Sequence, residues 1–102
     1  MDKAKALESA RKYADLVRGS FDVKKVILFG SHAKGTALAD SDIDVAVVFE
    51  RIDGDYLDVI TQLSRLRREI EYRIEPVALE QRNDRSGFLK EILRSGEIIY
   101  SA

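Results

Sequence analysis

Residues 30–50 read GSHAKGTALADSDIDVAVVFE, a loop of small and polar residues followed by an apolar run. Its second half, DIDVAVVF from Asp42 to Phe49, alternates as a strand does. Successive strand side chains point to opposite faces, so Asp42 and Asp44 share one face while Ile43, Val45, Val47 and Phe49 share the other. The two aspartate Cα atoms would lie about 6.6 Å apart, close enough for the carboxylates to converge on one cation or bridge two. Aspartate is depleted in strands, so two beside an apolar run need a reason. Like charges on a rigid face repel, and a divalent cation relieves that repulsion. Taken alone, a D-x-D pair also fits plain solvation of a strand end.

The first half of the stretch shifts that balance. Val23 to Phe29, VKKVILF, is a β-rich run that ends on Gly30-Ser31, where a single helical turn can open. Glycine permits close backbone approach, and free amides at a strand-to-helix junction favour phosphate oxygens. Ser31 adds a hydroxyl, Lys34 a positive charge one turn later, and Gly35 turns the chain back toward the sheet. A turn that holds phosphates, ten residues before a pair that holds their metal, makes geometric sense. His32 reads as a loop residue near the phosphates and not as a catalytic base, since no G-x-S-x-G elbow surrounds Ser31. The P-loop pattern GxxxxGK[ST] is absent.

On either side, elements alternate. Residues 2–18 read as an amphipathic helix through Ala4, Leu7, Ala10, Ala14 and Val17, with Gly19 as its stop. Residues 55–71 form a second long helix with Tyr56, Ile60, Leu63, Arg67 and Ile70 along one side. Arg73 to Leu79 is a third strand containing Pro76, which places it at a sheet edge or at a bulge. Asn83 and Asp84 offer caps for a short helix that stops at Ser95-Gly96, and EIIY, Glu97–Tyr100, is a final strand. The expectation is an α/β (α+β) chain, residues 1–102 as one domain, with one sheet of about four strands flanked by helices. Tyr56, Leu57 and Tyr72 are expected in the core or at an interface. Arg65, Arg67, Arg68 and Arg73 read as a solvated face balanced by Glu69 and Glu71.

Composition narrows the chemistry. The chain has 102 residues, 45% apolar and 34% charged, with 17 basic against 18 acidic residues and a net charge of −1. That lacks the basic excess of a binder of long nucleic acid. Without cysteine, zinc–thiolate sites and thiol nucleophiles are excluded, and with His32 the only histidine, a metal would rest on carboxylates. Oxygen ligands favour magnesium or manganese. No apolar leader core follows the charged N-terminus, so a cytoplasmic location without membrane spans is expected.

The joined motif GSHAKGTALADSDIDVAVVFE, within residues 23–50, resembles the signature of the minimal nucleotidyltransferases, small members of the DNA polymerase β-like nucleotidyltransferase superfamily. The resemblance implies that superfamily's mixed sheet and, residue by residue, a site. Gly30 and Ser31 would grip the β- and γ-phosphates of ATP or another nucleoside triphosphate, with Lys34 beside them where the family more often has arginine. Asp42 and Asp44 would hold two Mg2+ ions, or Mn2+ in their place. The third carboxylate would be Glu75, in RIEPV, where aspartate is commoner, serving as metal ligand or as general base. It further implies nucleotide transfer, of AMP from ATP, to an acceptor hydroxyl. The partner it implies is a HEPN-type toxin, with this chain as its antitoxin; a homodimer is the other association considered. The alternative is a binding module that neutralises its partner by contact alone.

Overall fold

Asp2 starts the first element: its carboxylate accepts the Lys5 amide at 2.9 Å and satisfies one of the free N–H groups of the opening turn. The computed structural model describes residues 2–102. Helix α1 covers Lys3–Ser20 and buries Ala6, Ala10, Tyr13, Ala14 and Val17, a stripe in which small alanines let the helix lie close to its neighbours. It overruns the expected stop at Gly19 and ends where the Phe21 amide donates to the Val17 carbonyl at 2.9 Å.

Strand β1 is Lys25–Phe29, two residues shorter than VKKVILF suggested, because its ladder begins opposite Val48 and Ser101. Helix α2, Ser31–Lys34, is the single turn expected after Gly30. Strand β2, Ile43–Phe49, is followed by helix α3, Tyr56–Leu66. The expected extension of α3 to residue 71 is replaced by a 3-10 turn, Arg67–Glu69, whose tighter winding reverses the chain into β3. Strand β3 is Ile74–Glu80, helix α4 is Phe88–Ser95 and strand β4 is Glu97–Ser101. Asp84 does cap α4, from outside it: its carboxylate accepts the Leu89 and Lys90 amides at 2.9 and 3.0 Å.

The four strands form one mixed sheet in the order β3-β2-β1-β4. β1 is antiparallel to β2 and β4, while β2 and β3 run parallel, joined by α3 as the crossover. β3 is an edge strand, as Pro76 required, and its register with β2 is unbroken, so no bulge is needed there.

Parity decides which face each residue joins. Ile43, Val45, Val47 and Phe49 point with Val26, Leu28, Ile74 and Ala78 into the core under α1 and α3. Ala46 and Val48 point the other way, with Ile27, Leu89 and Ile92, into a smaller cluster under α4. β2 is thus buried on both faces from Val45 to Phe49. Fully burying a valine-sized side chain contributes about 1.5–3 kcal/mol, which makes β2 the most firmly seated strand. Tyr13 ties the helix layer together by donating its hydroxyl to the Leu63 carbonyl at 2.7 Å; burial pushes that phenol well above its ordinary range, with Arg67 opposing.

Candidate functional site

Asp44 has the parity of Ala46 and Val48, so its carboxylate stands on the α4 face of the sheet. Its lateral neighbours are Phe29 on β1 and Glu75 on β3. Glu75 shares this face, since Ile74 and Ala78 point into the opposite core. The parallel pairing of β2 and β3 therefore brings the second aspartate of the D-x-D pair and the third acid to adjacent ladder positions. Asp42 lies one residue before β2, exposed.

These charges act on one another. Burial raises the Asp44 carboxyl above its ordinary range, the Asp42 and Glu75 carboxylates push it further, and His32 pulls it back. A carboxyl that resists ionisation, Asp44, beside two further acids is poised to accept positive charge.

The turn before them is fitted to Asp44. Gly30 has φ 74° and ψ −153°, a region that essentially only glycine enters. A Cβ there would collide with the Asp44 carboxylate and sit 3.2 Å from Asp44 Cγ. Gly30 is thus required both by its backbone and by the side chain in front of it. Ser31 and Lys34 follow on α2, Ser31 half-buried and Lys34 exposed. No side chain caps α2, and Lys34 has no ion-pair partner among the described residues.

Several expectations are corrected here. His32 is no loop residue: it is on α2, 1% exposed, with Nε2 donating to the Ser41 carbonyl at 3.2 Å. Small neighbours in the turn let the ring fold under the loop. Glu75 pairs with Arg67, Nη1 to Oε2 3.5 Å, and not with its sequence neighbour Arg73, because strand parity sends residues 73 and 75 along one side but Arg73 is engaged elsewhere. Arg73 reaches Glu71 at 3.5 Å and donates to the Ala39 carbonyl at 2.8 Å. Arg67 and Arg73 are therefore more than a solvated face, whereas Arg65 and Arg68 are exposed and the pairing of Arg73 with Glu71 is as expected. Tyr56, Leu57 and Tyr72 are exposed, at 47%, 68% and 76%, which removes them from the core. Of the three, Tyr56 shared the expected buried side of α3, but the sheet surface beneath α3 is already filled by Leu63 with Val59, Ile60 and Leu66.

As the side chains lie, no three His, Asp or Glu groups among the described residues enclose a metal position. The interaction that holds Glu75 aside is its contact with Arg67, and the Glu75 side chain is 56% exposed. Exposed ion pairs contribute about 0–1 kcal/mol, so turning Glu75 toward Asp44 costs little. An all-carboxylate set, one member destabilised as an anion, suits a hard divalent cation.

The surface around the carboxylates is shallow. A cleft of about 500 Å3, lined by Arg18, Phe21 and Tyr100 among others, lies at the other end of β1 and contains none of these acids. Charge and chemistry locate the site better than concavity does here. A smaller cleft of about 200 Å3 adjoins it at His32 and Gly35. Sequence reasoning missed His32, Arg67 and Arg73; the one available signal was a histidine directly after Gly-Ser, in a turn too small to expose it.

The model of the family described as "Polymerase beta, Nucleotidyltransferase" matches residues 11–102. Protein adenylyltransferase MntA of Thermococcus cleftensis is 33% identical over 84 residues, 82% of this chain and 80% of that protein. Among the curated relatives the matched part runs from 63% to 80% of the relative's own length. A Sulfolobus solfataricus crystal structure, described provisionally as a nucleotidyltransferase, superposes with a TM-score of 0.74 at 25% identity, covering 97% of this chain and 83% of that one. A toxin–antitoxin crystallised with AMP-PNP shares the fold, with a TM-score of 0.67 at 18% identity, over 100% of this chain and 75% of that one.

Proposed function

Since the chain belongs to the polymerase β nucleotidyltransferase family, we propose that it transfers AMP from ATP to a hydroxyl group on a partner protein, a HEPN-type toxin that the modification silences. The observation that carries this reading is the ladder pairing of Asp44 with Glu75, with Gly30 closed against the same Asp44 carboxylate. One arrangement joins the phosphate-binding turn to the acids.

In this reading Gly30 admits the triphosphate close to the backbone, Ser31 donates its hydroxyl to the β- and γ-phosphates, and Lys34 adds a positive charge. Asp42, Asp44 and Glu75 hold two Mg2+ ions, for which Mn2+ can substitute. The bound cations supply neutralisation of phosphate charge and a lowered pKa for the acceptor hydroxyl. The acceptor oxygen bonds to the α-phosphorus, the bond to the β-phosphate oxygen breaks, and pyrophosphate leaves as the hydroxyl proton is lost. Half-buried Asp44 is the anchor, because its anion gains most from the cation. The shallow surface suits a protein acceptor, which brings its own walls. No described helix is long and apolar enough to cross a membrane, which fits a cytoplasmic enzyme.

The deciding experiment supplies labelled ATP and Mg2+ to the chain together with the product of the neighbouring gene, and repeats this with Asp42→Asn plus Asp44→Asn. Label on the partner with the native chain alone supports the proposal. Tight partner binding by both forms without transfer replaces it with the contact-only module, which exposed Leu38 and Tyr72 beside the site would suit.

A further inference from the structure

Asp42 precedes β2, so its position depends on the segment before it, residues 36–41, more than on the ladder. That segment has little apolar anchorage: Leu38 is 72% exposed, and Ala39 and Asp40 are exposed as well. Internally it is one closed turn, in which the Leu38 amide donates to Ser41 Oγ at 2.8 Å and the Ser41 amide to the Leu38 carbonyl at 3.1 Å. A closed turn moves as a unit, and what holds it to the rest of the molecule is polar. On one side His32, buried on α2, donates from Nε2 to the Ser41 carbonyl at 3.2 Å. A carbonyl only accepts, so this nitrogen carries the proton. On the other side Arg73 donates from Nη1 to the Ala39 carbonyl at 2.8 Å. Its main chain grips the far side of Asp42, the Arg73 carbonyl accepting the Ile43 amide at 2.9 Å. Glu71 aims the guanidinium, one carboxylate oxygen 3.5 Å from Nη2 and the other accepting the Arg73 amide at 3.1 Å.

We propose that His32 and Arg73 are positioning residues that clamp the 36–41 turn from opposite sides and so fix Asp42 against Asp44, coupling the phosphate-binding turn and the start of β3 to the metal-binding carboxylate. This rests on the reading of Asp42 as a metal ligand. Groups that orient metal ligands typically contribute 10–100-fold in metal affinity. The Thr36 amide also ties the start of the segment to the Ser31 carbonyl at 3.0 Å, so His32 and Arg73, on different elements, hold its second half, and the loss of either loosens that half.

The test titrates Mn2+, in the presence of AMP-PNP, into the native chain and into His32→Ala, His32→Gln and Arg73→Met. Amide hydrogen exchange across residues 36–42 and thermal unfolding are measured on the same samples. Glutamine keeps an N–H donor at comparable reach, and methionine keeps the aliphatic stem and the main-chain bond to Ile43. His32→Ala and Arg73→Met are expected to lose about 10-fold or more in Mn2+ affinity. Exchange should accelerate in residues 36–42 but not in Val45–Phe49, and His32→Gln should recover most of the loss. Unchanged affinity and exchange in Arg73→Met together with His32→Ala would overturn the clamp, as would losses that merely track global unfolding and are not recovered by glutamine. Failure of the native chain to bind Mn2+ would instead remove the metal-site reading, and hydrogen exchange alone would then decide whether the turn is clamped.

Discussion

Replacing Gly30 with alanine tests the central contact of the site. Two separable costs follow from the geometry. The backbone at φ 74° and ψ −153° is strained for any residue with a Cβ, which costs about 1–3 kcal/mol. For a domain near 100 residues that corresponds to a fall of roughly 4–24 °C in Tm. The second cost is local: the new methyl group meets the Asp44 carboxylate, so Asp44 must rotate out of the site. The two are separated by repeating the change in the Asp44→Ala background. There the collision is gone, and Cβ of residue 44 stays at an ordinary 3.4 Å. Gly30→Ala should therefore cost less beside Ala than beside the native aspartate, with a coupling on the order of 0.5–3 kcal/mol. Thermal unfolding of the four proteins by circular dichroism gives the coupling, and Mn2+ titration of Gly30→Ala should show weakened binding. Equal losses in both backgrounds, with metal affinity intact, would refute the claim that the turn is built against Asp44.

Two further outcomes are expected. Because the Asp44 carboxyl is raised in the folded chain, the folded state holds its proton more tightly than the unfolded state. The metal-free protein should thus lose stability from this group as pH rises above about 3.8. Asp44→Asn should then gain in Tm over the native chain as pH rises above the ordinary carboxylate range without metal, and a difference that stays flat with pH would contradict the assignment. Gly96→Ala should destabilise by about 1–3 kcal/mol through crowding at the α4–β4 junction. Its Cβ would stand 2.7 Å from the Ile92 carbonyl oxygen and 2.8 Å from that of Leu28, neither of which is a side chain that can turn aside. An unchanged denaturation midpoint would show that the junction gives way.

Much of this molecule was legible in its sequence because periodicity reports faces. Alternation in DIDVAVVF separated the aspartates from the core side of β2, and Pro76 limited β3 to an edge or a bulge, of which the sheet takes the edge. The single turn at Ser31 and the four strands followed from breaks at glycine and from apolar runs. What stayed hidden is what depends on neighbours distant in sequence. Arg67 and Arg73 have the charge of surface residues, and only the reversal through the 3-10 turn sends one to Glu75 and the other to Ala39. His32 carries no periodic signal, so its burial is a consequence of how α2 sits on the sheet. Helical spacing put Tyr56 on the side of Leu63, whereas α3 buries Leu63 alone among its residues. Asp84 was correctly chosen as a cap, but a helix can be capped from several residues upstream, which shifted its start.

The parallel pairing of β2 with β3 also has a consequence in time. Asp44 and Glu75 are about thirty residues apart in the chain, and a parallel neighbour can be reached only after the whole crossover has been laid down. The hairpin-like partners β1 and β2 bring Gly30 and Asp44 together through a short connection, so this half of the candidate site can assemble early. The third carboxylate arrives with the slower, long-range closure. On the proposed reading, a chain still folding, or emerging from the ribosome short of β3, has the Gly30 turn and Asp44 in place but lacks Glu75. If the proposed site is right, competence for chemistry coincides with completion of the fold.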